Sequence, residues 1–496
     1  MNDPHPVDAA TLVIRAAYDA VDYDCTAYPQ SHPDRLRTIA RVFGVDAPPV
    51  ATARVLEVGC GDGSNVIPIA DAFPQATFVG CDLAPRAIEK GRALIAEAGL
   101  SNVALHCQDL RELPASLGEF DYVIAHGFYS WVPPPVRDAL MTLLATRMSP
   151  AGVAFVSYNT LPGNRVRQIA EDAMHWHTRD STSAAETLRA SRELLTMMGA
   201  PGLTQWPADA ALRAEFTNRA GQTDSVLYHD DLAQPNDAVY FHEFAAHAER
   251  HGLAYIGDSD VRLMSGGGLA PEVRKFVMRF DRIAREQYLD FMRMRRFRQS
   301  LLTRAASATG FNLDAARIDG VKVTVASTLM QSMAEAERMG QPRESAFHGG
   351  SPMLTAMVMW LAELAPRAME SGEVARWHAD HAKAGAPPLA SLLAEAWVGG
   401  VIDLHSQPAA LTTSIAPRPR ASRIARHLAQ SRTRVVNVRH ESVSLTNPAA
   451  RKLLTLLDGT RDRATLEREL GPASEPGAPG VDAMLQAFAR LALLVP

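Results

Sequence analysis

The ten positions Val55-Leu56-Glu57-Val58-Gly59-Cys60-Gly61-Asp62-Gly63-Ser64 constrain this 496-residue chain more than any others. A short aliphatic run ends in three alternating glycines, and apolar residues at helical spacing follow from Asn65 to Phe73. That order predicts strand, tight loop, helix. Glycines in such a loop let the backbone approach a ligand and adopt dihedrals that a Cβ forbids. The spacing G-x-G-x-G falls one residue short of the dinucleotide fingerprint G-x-G-x-x-G, and an acid, Glu57, takes a strand position that is normally apolar there. Both departures argue against a nicotinamide dinucleotide.

Further signals follow at regular intervals. Phe78-Val79-Gly80-Cys81-Asp82-Leu83 reads as a second strand ending in an acid placed to bind ribose hydroxyls. Val103 to Leu110 reads as a third strand, with Asp109 able to accept from an adenine amino group. Phe120 to Gly127 is a fourth and Gly152 to Asn159 a fifth, with helices over Pro85 to Ala98 and Pro135 to Met148 between them. Strands alternating with helices imply a parallel sheet that binds ligands beyond its carboxyl strand ends. A sixth strand is expected at Leu253 to Asp258 and a seventh at Arg296 to Leu302.

This combination resembles the class I S-adenosylmethionine (SAM) methyltransferases. Glu57 to Gly61 is similar to their first motif, Asp82 to their ribose acid, and Gln108-Asp109-Leu110 to their adenine contact. The resemblance implies a cofactor seat made of Glu57, Gly59, Cys60, Gly61, Asn65, Asp82, Leu83, Gln108, Asp109, Leu110, His126 and Gly127. It narrows further on His126 to Pro133, Ser157 to Gly163, Val239 to Phe244, Gln287 to Phe291 and Leu457 to Arg461. Together these resemble bacterial methyltransferases with a methyltransferase regulatory domain, a group that includes lysine methyltransferases of outer-membrane proteins. Asp231, within Tyr228-His229-Asp230-Asp231-Leu232, departs from that family, which tends to an aromatic there.

The implied fold class is α/β. It has a Rossmann-like, seven-stranded methyltransferase domain over residues 46–305, with a helical insertion at 160–240 over the active site. A helical cap at 1–45 carries Tyr18, Tyr23, Tyr28 and His32, and the last three are candidate lid residues. Two winged-helix-like α+β modules are expected, at 306–414 and 424–496, joined by the Pro/Arg/Ser-rich stretch Ile415 to Arg423, which reads as a linker. The tail helices lack a dense basic face, so packing or protein contact suits them better than nucleic acid. A net charge of −5 points the same way.

Methyl transfer needs a nucleophile aimed in line, and a lysine must also lose its proton. Tyr129 and Trp131, just past the fourth strand, are candidate walls of a desolvating aromatic channel, which would disfavour the ammonium. His126 could bond the cofactor or act as base for an oxygen nucleophile. Asn159 and Tyr158 are placed to position the acceptor. Tyr28, His229, Asp231, Tyr240 and His242 complete the expected substrate contacts. The sequence lacks the [Asp/Asn]-Pro-Pro-[Tyr/Phe] run expected for adenine or glutamine-amide methylation, and lacks the paired acids expected for arginine. Protein lysine is therefore the favoured acceptor. A small-molecule N- or O-methyltransferase and a non-catalytic SAM-binding regulator are the alternatives.

No metal is expected. His242 and His247 are spaced H-E-x-x-x-H, which turns the second histidine off a shared helix face, while His247 and His251, at i and i+4, could hold a metal but read first as solvated surface histidines. Cys25, Cys60, Cys81 and Cys107 show no paired spacing, Asp3 and Asp8 stand where a secretion signal would be basic, and the apolar run Met353 to Ala365 is short and interrupted by Glu363. These features suggest a reduced, cytoplasmic chain without membrane insertion, which could assemble as a homodimer.

Overall fold

Period-two alternation along the strands places different residues on the two faces of one large sheet. In the computed structural model, which describes residues 25–200, 209–307, 313–347, 350–471 and 479–496, the strands are β1 Arg54–Val58, β2 Thr77–Asp82, β3 Val103–Cys107, β4 Phe120–Ala125, β5 Met148–Asn159, β6 Leu253–Asp258 and β7 Phe297–Arg304. Tyr18 and Tyr23 lie outside the described residues. The order across the sheet is β3-β2-β1-β4-β5-β7-β6. All neighbours pair in parallel except β7, which runs antiparallel to both β5 and β6. The strand order reverses between β1 and β4, and in such sheets the crevice at that switch point receives the ligand.

Val55, Tyr122, Ile124 and Phe155 face a core shared with the helices Pro33–Val42 and Val66–Ala72 and with the C-terminal third of the chain. Leu56, Val58, Val123, Val156 and Tyr158 face the other way, against Leu140 and Leu144 of the helix Pro134–Arg147 and Phe241 and Phe244 of the helix Phe241–Arg250. The insertion after β5 forms the helices Asn164–His177, Ala184–Gly199 and Asp209–Ala220 around its own small core, including Met174, Leu195 and Phe216.

Beyond β7, strand β8 (Lys322–Val325) pairs antiparallel with β9 (Ile402–His405), and the described residues between them are mainly helical. The stretch expected to be a linker is partly strand: β10 (Arg420–Ala421) pairs with β13 (Leu494–Val495) at the end of the chain. Between these lie the helices Arg423–Ser431, Pro448–Leu456, Arg463–Leu470 and Val481–Arg490, and a hairpin of β11 (Arg434–Val436) and β12 (Ser442–Ser444). This last unit packs on the sheet through the same core, so its burial is inseparable from that of the sheet. Among the described residues no helix is long and apolar enough to cross a membrane.

Candidate functional site

The glycine loop follows β1 at the switch point. Gly59, Gly61 and Gly63 all have positive φ, at 72°, 55° and 75°. A Cβ on Gly61 would stand 2.6 Å from Cys25 Sγ, and one on Gly59 2.9 Å from the Phe128 ring. The loop is therefore glycine for both conformation and space. Asp82, at the end of β2, accepts hydrogen bonds from the backbone N–H of Gly61 and of Ala84, each at 2.9 Å. Burial raises its pKa against these bonds. Each carboxylate oxygen keeps a lone pair for a further donor.

Glu57 is buried beneath the loop and accepts from Asn65 Nδ2 at 2.7 Å through Oε1, while Oε2 has no hydrogen-bond partner among the described residues. Burial pushes its carboxyl up to about 8, and the nearest charges, Asp82 and Asp62, push the same way. Asn65 Oδ1 in turn accepts from Tyr28 N at 2.9 Å and meets His440 Nε2 at 2.8 Å. Because the Asn65 amide nitrogen already serves Glu57, its oxygen faces His440, and Nε2–H is the donor. His440 sits in the β11–β12 hairpin, so the C-terminal unit props the cofactor loop from below.

Two adjoining cavities open from this loop. The smaller is lined by Leu83, Gln108, Asp109, Leu110, Phe128 and Val136, among others. Asp109 is also clamped by Arg111, whose Nε and Nη2 donate to it at 3.0 and 2.7 Å. The larger chamber, about 740 Å3, is walled by Tyr28, His126, Trp131, Asn159, Asn164 and His229, with Asp230 at its wall. Gly59, Asp82, Gly127 and Trp131 line both cavities. His126 is sandwiched between Tyr28, at 3.7 Å between ring centroids, and Phe155 at 5.9 Å. This desolvation pulls it down to about 4 and keeps it neutral.

Several sequence candidates lie elsewhere. Tyr129 turns away from the chamber into the opposite core, edge-on to Phe244, with its hydroxyl on His247 Nδ1 at 2.8 Å. Tyr158 stacks on Phe244 at 4.1 Å and bonds Ser300, because the strand alternation that aims Asn159 at the chamber aims its neighbour at the other face. Asp231 is spent as a buried counter-ion to Arg167 (2.9 Å) and Arg219 (3.1 Å), which leaves its neighbour Asp230 at the chamber wall. Burial raises Asp230 to about 6. Tyr240 N is held by Glu243, and His242 by Gln287 at 3.0 Å, so neither lines the chamber.

Sequence reasoning missed Asn164, Arg434 and His440. Asn164 is 1% exposed, lines the chamber, and has no partner for Oδ1 or Nδ2 among the described residues. It follows directly on the stretch Ser157 to Gly163 that marks the family resemblance, and that stretch was the available signal. Arg434 and His440 come from a hairpin nearly four hundred positions down the chain, and nothing local to them announces a ligand.

The residues fit SAM. The glycine loop leaves its backbone open on the cavity side, Asp82 stands beside it with accepting capacity, and the Glu57 oxygen that has no partner among the described residues suits a cationic amino group. Fold and site thus define a SAM-binding protein of the methyltransferase type. Known proteins agree. Residues 55–152 match the methyltransferase domain family, 223–304 the predicted methyltransferase regulatory domain, and 417–482 the PKMT C-terminal winged helix domain. Uncharacterized protein RP028 of Rickettsia prowazekii is 34% identical over 48% of this chain and 95% of its own length. Uncharacterized protein RP789 of the same organism is 38% identical over 59% of this chain, and the match spans only 53% of that protein. PKMT2 from Rickettsia typhi in complex with AdoHcy superposes with a TM-score of 0.82 at 25% identity, covering 96% of this chain and 100% of that one. The chain belongs to the family of SAM-dependent methyltransferases with a regulatory domain and a PKMT winged helix.

Proposed function

We propose that this chain transfers methyl groups from SAM to lysine side chains of a protein. The observation that carries this reading is the Asn164 amide, buried and unpartnered at the wall of a chamber that adjoins the cofactor seat. A buried amide left without partners costs about 1–3 kcal/mol, and an entering amine relieves that cost. The likeness to PKMT2 over nearly the whole chain supports a protein acceptor.

SAM, when bound, supplies a methyl that is already electrophilic, so the protein's work lies with the acceptor. A lysine with a pKa of about 10.4 pays roughly 4–5 kcal/mol to be neutral at pH 7. Trp131, Tyr28 and the neutral His126 ring give the approach an aromatic wall, and an amine pressed against it sheds water, which disfavours the ammonium. Asn164 Oδ1 accepts from the resulting amine and, with Asn159 on the adjacent strand end, holds its lone pair toward the cofactor side. Neither His126 at about 4 nor Asp230 at about 6 binds a proton tightly enough to take it from the ammonium, so that proton goes to solvent.

Incubation of the purified chain with methyl-labelled SAM and a size-fractionated lysate tests the reading. Label in macromolecules, recovered as methyllysine after hydrolysis, is expected; label confined to small solutes rejects it. Asn164→Ala should lower kcat/KM for the acceptor by about tenfold or more while leaving SAM affinity within about twofold. One observation favours a second reading: Arg86, Lys90, Arg296 and Arg434 line the same chamber and would suit a small acidic acceptor, in which case the label appears only in solutes.

A further inference from the structure

On the far side of the turn that carries Trp131, three side chains from two helices converge. Asp138 comes from the helix Pro134–Arg147; His247 lies in the last turn of the helix Phe241–Arg250, and His251 caps it. His247 Nε2 stands 2.7 Å from Asp138 Oδ1, and His251 Nε2 stands 3.8 Å from the same oxygen. One ligand atom from each residue lies within 4.8 Å of the other two. We propose that Asp138, His247 and His251 bind a divalent transition metal, zinc being the best match, which staples the two helices together. The site is independent of the acceptor chemistry proposed above.

An ordinary histidine–carboxylate hydrogen bond explains His247 but not His251. Thr142 Oγ1 donates to the Asp138 carbonyl at 2.9 Å, so what it turns to His251 Nδ1, at 3.4 Å, is a lone pair. Nδ1 is therefore the donor to Thr142, which leaves Nε2 as the nitrogen that faces the carboxylate oxygen. A cation placed between these two atoms would bond both, at a spacing the hydrogen bond to His247 leaves open. Among the described residues Asp138 forms ion pairs only with these two imidazoles and with no arginine or lysine.

The surroundings are those of metal-bound histidines. Zinc takes histidine nitrogen at about 2.0–2.1 Å and carboxylate oxygen at about 2.0–2.2 Å, often with three protein ligands and a water. Ligating histidines usually have their second nitrogen fixed by an outer partner. Here Tyr129 Oη stands 2.8 Å from His247 Nδ1, and Thr142 takes the corresponding place for His251. His247 is buried, whereas the Asp138 side chain is 63% exposed, so an ion there has open access from solvent. Through buried Tyr129 the ion would also stiffen the turn Tyr129–Trp131, whose tryptophan lines both cofactor-side cavities.

Cobalt reports the site directly, because its visible ligand-field bands show nitrogen and oxygen ligation. The full chain, freed of metal by chelator, should bind about one Co2+ with visible bands, and Zn2+ should displace it. His251→Ala removes the partly exposed ligand but leaves the Tyr129–His247–Asp138 bonds. It should weaken Co2+ binding at least about tenfold without changing the metal-free melting temperature; Asp138→Asn should do the same, and Tyr129→Phe should cost about 10–100-fold through the outer partner. Absence of bands at stoichiometric cobalt, or equal affinity in the wild type and His251→Ala, overturns the site.

Discussion

Beneath the glycine loop, Glu57, Asn65 and His440 form a buried chain of hydrogen bonds. Between β6 and β7, Arg298, Asp290, Glu286 and Asp258 form another. The two networks differ in how charge is balanced. Arg298 is fully buried and donates to Asp290 through Nε and Nη2, each at 2.8 Å, and to Glu286 at 3.0 Å; its guanidinium also lies 3.9 Å from the centre of the Phe241 ring. Arg295 adds a second cation, 2.7 Å from Asp258. The loop network has an acid and two neutral partners, and the nearest charges to Glu57 are also acidic. A buried carboxyl beside a cavity that stays protonated for want of a cation marks a place for a cationic ligand, and SAM carries positive charge at sulfur and at its amino group. Compensated charge away from the cavities marks scaffold.

The largest effect expected from this contrast is at the scaffold. Arg298→Met leaves Asp290 and Glu286 buried without their partner and should cost about 3–5 kcal/mol in chemical denaturation. A loss below about 1 kcal/mol would mean that the network is not what joins the β6–β7 edge to the helix Arg282–Arg293. On the ligand side, Asp82→Ala removes an acceptor from the cofactor seat. It should weaken SAM binding by about 1.5–3 kcal/mol in calorimetry. Unchanged affinity would move the ribose away from β2.

The contrast also explains what could be read from the sequence. The glycine loop, Asp82 and the strand–helix alternation are local patterns, and they sufficed for the sheet and for the loop at its switch point. The seven strands were legible, but not that β7 inserts antiparallel between β5 and β6. Tyr129 and Tyr158 misled because an aromatic beside a strand end looks like a site wall until the alternation is followed: Phe155 and Asn159 share one face, and Tyr158 takes the other. Asp231 misled because its charge is spent on two arginines from different helices of the insertion, a pairing made only by the fold. Asn65 was expected at the cofactor for its place after the glycines, but its second bond, to His440, spans 375 positions and left no local trace.

Two smaller effects separate the parts of the loop network. Glu57 has an ordinary value of 4.5 when unfolded and about 8 when folded. Between those values the unfolded chain has lost its proton while the folded chain keeps it, so the ligand-free protein loses stability as pH rises through that window. Glu57→Gln should flatten that slope. A cationic amino group beside the carboxylate lowers its pKa, so SAM binding near pH 7 should release about one proton, seen as a buffer-dependent binding enthalpy that is missing in Glu57→Gln. The smallest expected change is at the prop itself. His440→Ala removes one bond to Asn65 Oδ1, which keeps its bond from Tyr28 N. Loss of about 1 kcal/mol should weaken SAM binding roughly fivefold and leave the acceptor KM unchanged. If instead the acceptor KM rises and SAM affinity holds, the C-terminal unit serves the substrate rather than the loop, and the hairpin belongs with Arg434 at the chamber wall.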